Sequence, residues 1–170
     1  MSMDILEVIK ARRSIRKYKA EPVSEEEINK ILEAGRWAPS ADNSQPWGFI
    51  VLRSQEVRKK LADILTWGSF LARAPLGIVV TVDPGASSHH AEDGAAATQN
   101  MLLEAHSLGL GACWLAIYGE EYEDRAKKLL DVPKNERLVC AIAIGHPAEA
   151  GRKIRRKLDE VSFTDRYGRR

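Results

Sequence analysis

The chain has 170 residues, of which 44% are hydrophobic, and no shift of composition divides it. This size and composition predict a single domain with one sizeable core over residues 1–170. Lys and Arg number 26 against 24 Asp and Glu, a net charge of +2, and this near balance argues against a dedicated nucleic-acid-binding protein. No apolar run approaches the length of a membrane span, so no membrane partner is expected. Two cysteines without metal or disulfide spacing predict reduced thiols and a cytoplasmic protein.

The spacing of apolar residues predicts helices and strands along the whole chain. Ser24 and Glu27 have the spacing of a capping box, which predicts a helix start, and Pro39 predicts that this helix ends by Trp37. The predicted elements are, in chain order, helix 5–9, helix 24–37, strand 47–52, helix 54–65, strand 76–82, helix 91–108, a strand or extended loop 113–117, helix 120–130 and strand 138–144. Strand 76–82 is apolar throughout, which predicts burial on both faces.

One short stretch, residues 12–18 with the sequence RRSIRKY, concentrates four cations around one hydroxyl. An extended backbone would place Arg12, Ser14 and Arg16 on one face, and a helix would still align the two arginines. Planar guanidinium groups match the oxygens of phosphate. The pattern therefore predicts a phosphate site. A solvated basic helix end or a weak nucleic-acid patch is the alternative, and this stretch taken alone favours that alternative.

A second polar stretch, residues 38–47 with the sequence APSADNSQPW, lies between a predicted helix and a predicted strand. Taken with the first stretch, it gives the motif pair R-R-S-x-R and P-S-x-x-N-x-Q-P-W. This pair, and the order of elements after it, resembles the FMN-dependent nitroreductase family. Without the arginine motif, a helix-terminating loop held by its own Asn and Ser bonds would be the preferred interpretation.

The resemblance implies an α+β fold with a mixed central β-sheet flanked by helices. It also implies an intertwined homodimer in which a C-terminal arm, residues 150–170, embraces the other subunit and adds an edge strand to it. The arm itself is polar and basic with little core pattern. Its composition leaves open a disordered tail or a solvated basic run.

The resemblance further implies FMN as the cofactor. The arginine stretch and a basic pair in the arm would hold its phosphate. The isoalloxazine would contact the loop 39–45 of the second subunit and a segment after Gly111, where a backbone N–H would reach the flavin N5. The residues so assigned are Arg12, Arg13, Ser14, Arg16, Pro39, Ser40, Asn43, Trp114, Leu115, Ala116, Arg155 and Arg156.

The chain departs from the family pattern at two places. Ala41 stands where a second Ser is common, which removes one hydroxyl. Residues 66–70, TWGSF, offer no Asn or Lys, although many members carry an amide and a lysine there that reach the pyrimidine edge of FMN. The segment is also short, so we expect a reduced substrate lid and leave the acceptor open.

The activity that the resemblance implies is transfer of two electrons from NAD(P)H through FMN to an electron-poor acceptor such as a nitroaromatic or a quinone, in a ping-pong reaction. No side chain is assigned as an acid, base or nucleophile, because the cofactor carries the chemistry. A flavin-binding or redox-sensing protein without enzyme activity is the alternative. No metal is expected, because the run His89-His90-x-Glu92-Asp93 matches no strong ligand spacing. A dinucleotide-binding βαβ unit is rejected, because residues 83–88 lack G-x-G-x-x-G.

Overall fold

The computed structural model describes residues 4–151 and 154–169, so residues 152, 153 and 170 of the predicted arm lie outside it. The described residues form five α-helices and four β-strands. These are α1 (Ile5–Ala11), α2 (Glu25–Arg36), β1 (Trp47–Leu52), α3 (Gln55–Ile64), β2 (Leu76–Val82), α4 (His90–Ser107), β3 (Gly111–Ala116), α5 (Glu123–Leu129) and β4 (Arg137–Gly145). Among them we find no helix with the length and apolarity that crossing a bilayer requires.

Local sequence accounts for several helix ends. Ser24 and Glu27 form the predicted capping box: the Glu27 side chain accepts from the Ser24 backbone N–H at 2.8 Å. Ser54 caps α3 through the backbone N–H of Val57. The helix predicted from residue 120 begins at Glu123 instead, because residues 120–122 form a turn in which the Glu123 N–H donates to the Glu120 carbonyl at 3.0 Å.

The four strands form one sheet in the order β1-β2-β4-β3. The predicted α+β class is confirmed, but the expected mixed character of the sheet is not present among its strands. Each neighbouring pair is antiparallel: β2 and β4 run in opposite directions, and each outer strand runs against its inner neighbour. Parallel pairing in the described residues is limited to one bridge between Ser14 and Ala112. Any parallel strand would have to come from outside these four.

Helices cover both faces of the sheet and divide the core into two layers. On β2, Val79 packs with α3 and α5, whereas Ile78 and Val80 pack with α2 and α4. This alternation explains why β2 is buried at every position. Gly35 allows α2 to approach α4 closely, since a Cβ there would lie 2.8 Å from Met101.

Helix α1 is amphipathic, but its apolar side faces outward. Within α1, Val8 is buried, whereas Ile5, Leu6 and Ile9 are 72%, 50% and 47% exposed. The described part of the arm likewise exposes large apolar side chains, with Ile154 97% exposed. Such surfaces mark contact with another molecule more often than contact with water.

Candidate functional site

The arginine stretch is extended and lies along the outer edge of β3. The Ile15 N–H donates to the Ala112 carbonyl at 3.0 Å, and the Lys19 N–H donates to the His146 carbonyl at 2.9 Å. Gly111 makes this close approach possible, because a Cβ there would lie 2.8 Å from Ile15. Of the two predicted backbone geometries, the structure therefore has the extended one.

The alternation of an extended chain places Arg12, Ser14 and Arg16 around the thiol of Cys113. Burial raises the pKa of that thiol, and the charge of Arg16, a hydrogen bond with Ser14 and the charge of Arg12 each oppose the rise. All three groups therefore act on one point.

Arg13 faces the opposite way. Its guanidinium donates to the carbonyl of Lys10 and, at 2.8 Å, to that of Arg12, so it caps the end of α1. With Arg12, Ile15 and His106, it lines a cavity of about 330 Å³. The hydrogen bonds of Arg13 thus lie at the end of α1 and not at the Cys113 thiol.

Arg12, Arg16 and Arg155 form what we call the cationic cluster. Burial lowers the pKa of Arg12, and the neighbouring charges of Arg155 and Arg13 lower it further. No carboxylate in the described part of the chain forms an ion pair with any of the three. Neighbouring guanidinium groups that no carboxylate pairs with favour an anionic ligand, and the terminal phosphate of FMN fits this donor set.

The two predicted arginines of the arm behave differently. Arg155 lies close enough to Arg12 to lower the pKa of that guanidinium. Arg156 is engaged by Glu160: its Nη2 donates to the Glu160 carbonyl at 2.6 Å, and its Nε lies 3.6 Å from the carboxylate. The structure therefore brings Arg155, but not Arg156, to the arginine stretch.

A cleft of about 370 Å³ opens beside the cationic cluster. Its lining is Arg16, Leu65, Thr66, Trp67, Phe70, Trp114, Leu115, Ala116, Glu120 and Tyr122. The three residues assigned from the Gly-rich segment, 114–116, thus share one cleft with Arg16. The Arg16 guanidinium lies 5.6 Å from the centre of the Phe70 ring. Among the described lining residues Arg16 is the one cation.

The loop that follows α2 is held in an unusual backbone conformation. Asp42, Asn43 and Gln45 have positive φ angles of 51°, 54° and 49°, and Asn and Asp tolerate this region better than most residues. The Ser40 Oγ accepts from the Gln45 N–H at 2.9 Å, so Gln45 has a structural role there. Some polar groups of the loop therefore hydrogen-bond within the loop and hold its shape.

Asp93 fixes this loop from the start of α4. Its carboxylate is buried and accepts from the Ala41 N–H at 3.0 Å and from the Ser87 Oγ at 2.6 Å. From the sequence, Asp93 was singled out only as a candidate metal ligand, so its role in anchoring this loop was not predicted. An acid in the first turn of a helix, following a polar loop, was the available signal.

The loop and the cationic cluster lie at opposite ends of α4. Asp93 holds the loop at the N-terminal end, whereas Arg12 and Arg13 lower the pKa of His106 at the C-terminal end, after burial. Thirteen residues at 1.5 Å each separate Asp93 from His106, about 20 Å. Pro39, Ser40 and Asn43 of the same chain are not among the described lining residues of the cleft.

Glu149 is a second residue that the sequence did not indicate. Its carboxylate accepts from the backbone N–H groups of Arg16, at 2.7 Å, and Lys17, at 3.2 Å. It holds the backbone of the arginine stretch while the Arg16 guanidinium extends toward the cleft. No local pattern reveals this contact, because more than one hundred positions separate the partners, 133 in the case of Arg16.

The histidine run before α4 takes part in hydrogen bonds. Within residues 4–151 and 154–169, no group of three His, Cys, Asp or Glu side chains is placed to hold a metal ion. The His90 Nδ1 lies 2.9 Å from the Ser87 carbonyl, so that nitrogen donates, and Nε2 lies 2.8 Å from the Tyr118 hydroxyl. His90 thus joins the start of α4 to the segment after β3.

Comparisons with known proteins agree with this architecture. The profile of the Nitroreductase family matches residues 9–68 and 65–146. A protein of Archaeoglobus fulgidus named NADH dehydrogenase/NAD(P)H nitroreductase is 41% identical over 151 residues, which cover 86% of this chain and 87% of that protein.

Two solved structures show the same fold over almost the full length. The Parabacteroides distasonis protein of that same name superposes with a TM-score of 0.91 at 33% identity, covering 96% of this chain and 99% of its own. A nitroreductase from Desulfovibrio desulfuricans in complex with FMN has a TM-score of 0.84 at 38% identity, covering 98% and 99%. The fold and the site define an α+β protein with a cluster of arginines on the edge of its sheet. The chain belongs to the Nitroreductase family, as its motifs predicted.

Proposed function

We propose that the protein takes two electrons from NAD(P)H by way of bound FMN and passes them to an electron-poor acceptor, a nitroaromatic or a quinone, in a ping-pong reaction. The observation that carries the proposal is the cationic cluster, which has no carboxylate partner in the described chain and opens into an aromatic cleft. This arrangement suits a ligand with a phosphate at one end and a planar ring at the other.

The enzyme class rests on the relatives. The protein is an NAD(P)H-dependent FMN oxidoreductase, since its 41% identical relative carries the name NAD(P)H nitroreductase and a 38% identical relative is solved in complex with FMN. When bound, FMN supplies the two-electron chemistry. The protein supplies position and electrostatics, so the lack of an acid and base pair in the cleft is expected.

Different residues along the edge of β3 would hold different parts of FMN. Arg12, Ser14 and Arg155 would bind the phosphate, and Trp114 to Ala116 would line one side of the ring system. Arg16 lies between the two groups. We assign it the positive charge near the pyrimidine edge, where it would favour the anionic form of reduced flavin.

We also propose a homodimer with two flavin sites at the interface. In one chain, the loop that carries Pro39, Ser40 and Asn43 does not line the cleft. A second copy could present that loop to the cleft. The outward apolar side of α1, the exposed side chains of the arm and the unpaired edge of β1 in the described sheet are surfaces that such a partner would cover.

The compartment is the remaining part of the proposal. Cys113 and Cys140 are buried and unbridged, and free thiols persist best where the surroundings are reducing. We therefore place the reaction in the cytoplasm.

Anaerobic mixing with NADH or NADPH tests the central step. Rapid loss of the absorbance of oxidised flavin is expected, and double-reciprocal plots that vary nicotinamide against a quinone should give parallel lines. Intersecting lines would exclude the ping-pong order. A yellow protein that neither nicotinamide bleaches would favour the alternative, a flavin-binding or redox-sensing protein.

The dimer is tested by deleting residues 151–170. We expect the truncated protein to sediment as a monomer and to lose its flavin absorbance. A truncated protein that stays dimeric and yellow would refute the exchanged arm.

A further inference from the structure

The cleft combines aromatic side chains with one carboxylate. Trp67, Phe70, Trp114 and Tyr122 all line it, and Trp67 is 82% exposed. Glu120 is the acid among the described lining residues. Aromatic faces attract cations through their quadrupole, and a nearby carboxylate adds to that attraction.

The two charges of the cleft belong to different parts of it. Arg16 lies against Phe70 and acts on the Cys113 thiol, on the side of the cationic cluster. Under the proposed function, the flavin ring covers this charge. Glu120 lies instead near Tyr122, whose hydroxyl pKa is raised by burial and then by the charges of Glu120 and Glu121.

Glu120 is exposed, and in the described part of the chain it has no cationic partner. Once the flavin ring covers Arg16, the charged side chain of this chain's cleft that an incoming molecule meets is Glu120. Because the charge is partly solvated, it biases affinity without blocking neutral molecules.

We propose that Glu120 makes the cleft select aromatic acceptors that carry a positive charge and discriminate against anionic ones. This inference rests on the proposed function and names its class of acceptor. For a cationic nitroaromatic the overall reaction is ArNO2 + NAD(P)H + H+ giving ArNO + NAD(P)+ + H2O. The two electrons come from the nicotinamide, one oxygen leaves as water, and the cationic substituent is unchanged.

Equilibrium binding tests the selection without turnover. The FMN-loaded protein is titrated by calorimetry with two redox-silent ligands of matched ring size, 2-naphthylmethyl-trimethylammonium and 2-naphthoate. We expect the cation to bind more tightly, and Glu120→Gln to reduce the ratio of the two affinities about tenfold. Glu120→Lys should reverse the order.

Glu121→Gln is the matched control. It removes the same charge one residue away, from an exposed side chain that also acts on Tyr122 but does not line the cleft. The inference requires this variant to keep the parent ratio within about twofold, since solvent screens the more distant charge. An equal effect of both variants, or no effect of Glu120→Gln, would overturn it.

A kinetic experiment separates this inference from the proposed function. Protein that dithionite has titrated to full reduction is mixed anaerobically with 4-nitrobenzyl-trimethylammonium, 4-nitrobenzyl alcohol or 4-nitrobenzoate, and reoxidation of the flavin is followed. Rates should fall in that order, and Glu120→Gln should flatten the series. This step needs no nicotinamide, so a failure to accept hydride from NAD(P)H would leave its result intact. A series that is flat in the parent protein would refute the selection alone.

Discussion

The arginines near the two ends of β4 differ in whether a carboxylate pairs with them. At its start, Arg137 donates two hydrogen bonds of 2.7 Å to Glu123, which also accepts from the backbone N–H groups of Leu138 and Gly119. Near its other end, the cationic cluster has no such acid in the described chain. The first arrangement satisfies its charges internally and stabilises the fold. The second leaves its charges without an ion-pair partner in the described chain, and a bound anion would offset the repulsion among them.

The largest expected effect comes from removing the unpaired charges. Arg12→Ala with Arg16→Ala should weaken FMN binding by about 3–6 kcal/mol, since each charge-assisted hydrogen bond contributes roughly 1.5–3 kcal/mol. Fluorescence titration of the apoprotein with FMN measures this loss. Urea unfolding of the same apoprotein should show unchanged or higher stability, because like charges have been removed. Parent-like affinity would show that the cluster does not hold the cofactor.

Removing a paired charge should have the opposite profile. Glu123→Gln should lower the free energy of unfolding by about 3 kcal/mol at neutral pH, because Arg137 loses its buried partner, with little direct change in FMN affinity. Asp124→Asn, an exposed neighbour on α5, is the control and should change stability little.

The pH dependence sharpens this second case. Burial raises the pKa of Glu123, but the hydrogen bonds from Arg137, Gly119 and Leu138 outweigh it and leave the pKa below its ordinary value. The stabilisation is thus complete above the unfolded pKa, about 4.3, and is lost as pH falls through the lower folded pKa. The stability gap between parent and Glu123→Gln should narrow over that acidic range, and a constant gap would exclude linkage to this carboxyl.

Variants of Asp93 test whether one buried carboxylate both stabilises the fold and holds the loop after α2 in place. Asp93→Ala should cost about 2 kcal/mol of stability, because the Ala41 N–H and the Ser87 hydroxyl lose a charged acceptor. It should also speed proteolysis within residues 40–45. Glu92→Ala removes an exposed carboxylate from the same turn and should do neither. Equal behaviour of the two variants would mean that the loop holds its shape without the anchor.

Arg13 gives the smallest expected effect and the finest test. Its guanidinium caps α1, so Arg13→Ala should cost about 0.5–1 kcal/mol of stability and leave FMN affinity within about twofold of the parent. The same fluorescence titration decides the point. A loss comparable to that of a cluster residue would return Arg13 to the phosphate site to which the sequence assigned it.

Sequence patterns predicted what is local. The capping box of Ser24 and Glu27, the strand at 76–82 and the shared face of Arg12, Ser14 and Arg16 all depend on neighbours in the chain, and the structure contains each of them. Periodicity fixes such features, because backbone geometry sets which side chains align.

Contacts between distant segments were beyond the sequence. The hydrogen bonds from the arginine stretch to Glu149 join residues more than one hundred positions apart. The contact of Arg16 with the Phe70 ring depends on how a loop folds beside β3. The antiparallel strand order likewise follows from the crossovers rather than from any strand's composition. Arg155 and Arg156 are adjacent and chemically identical, so the structure alone could separate them.

The two edges of the sheet differ in whether another segment of the chain covers them, and this bears on how the protein can assemble. The arginine stretch shields β3 by lying along it, so in the described chain β1 is the edge with free backbone groups. Growth into a fibril needs two edges that accept strands. A sheet with one such edge can exchange a strand reciprocally and then stop, which gives a closed pair of chains. The stretch at residues 12–18 thus covers the edge of β3 at Ala112 through its backbone, independently of the charges on its side chains.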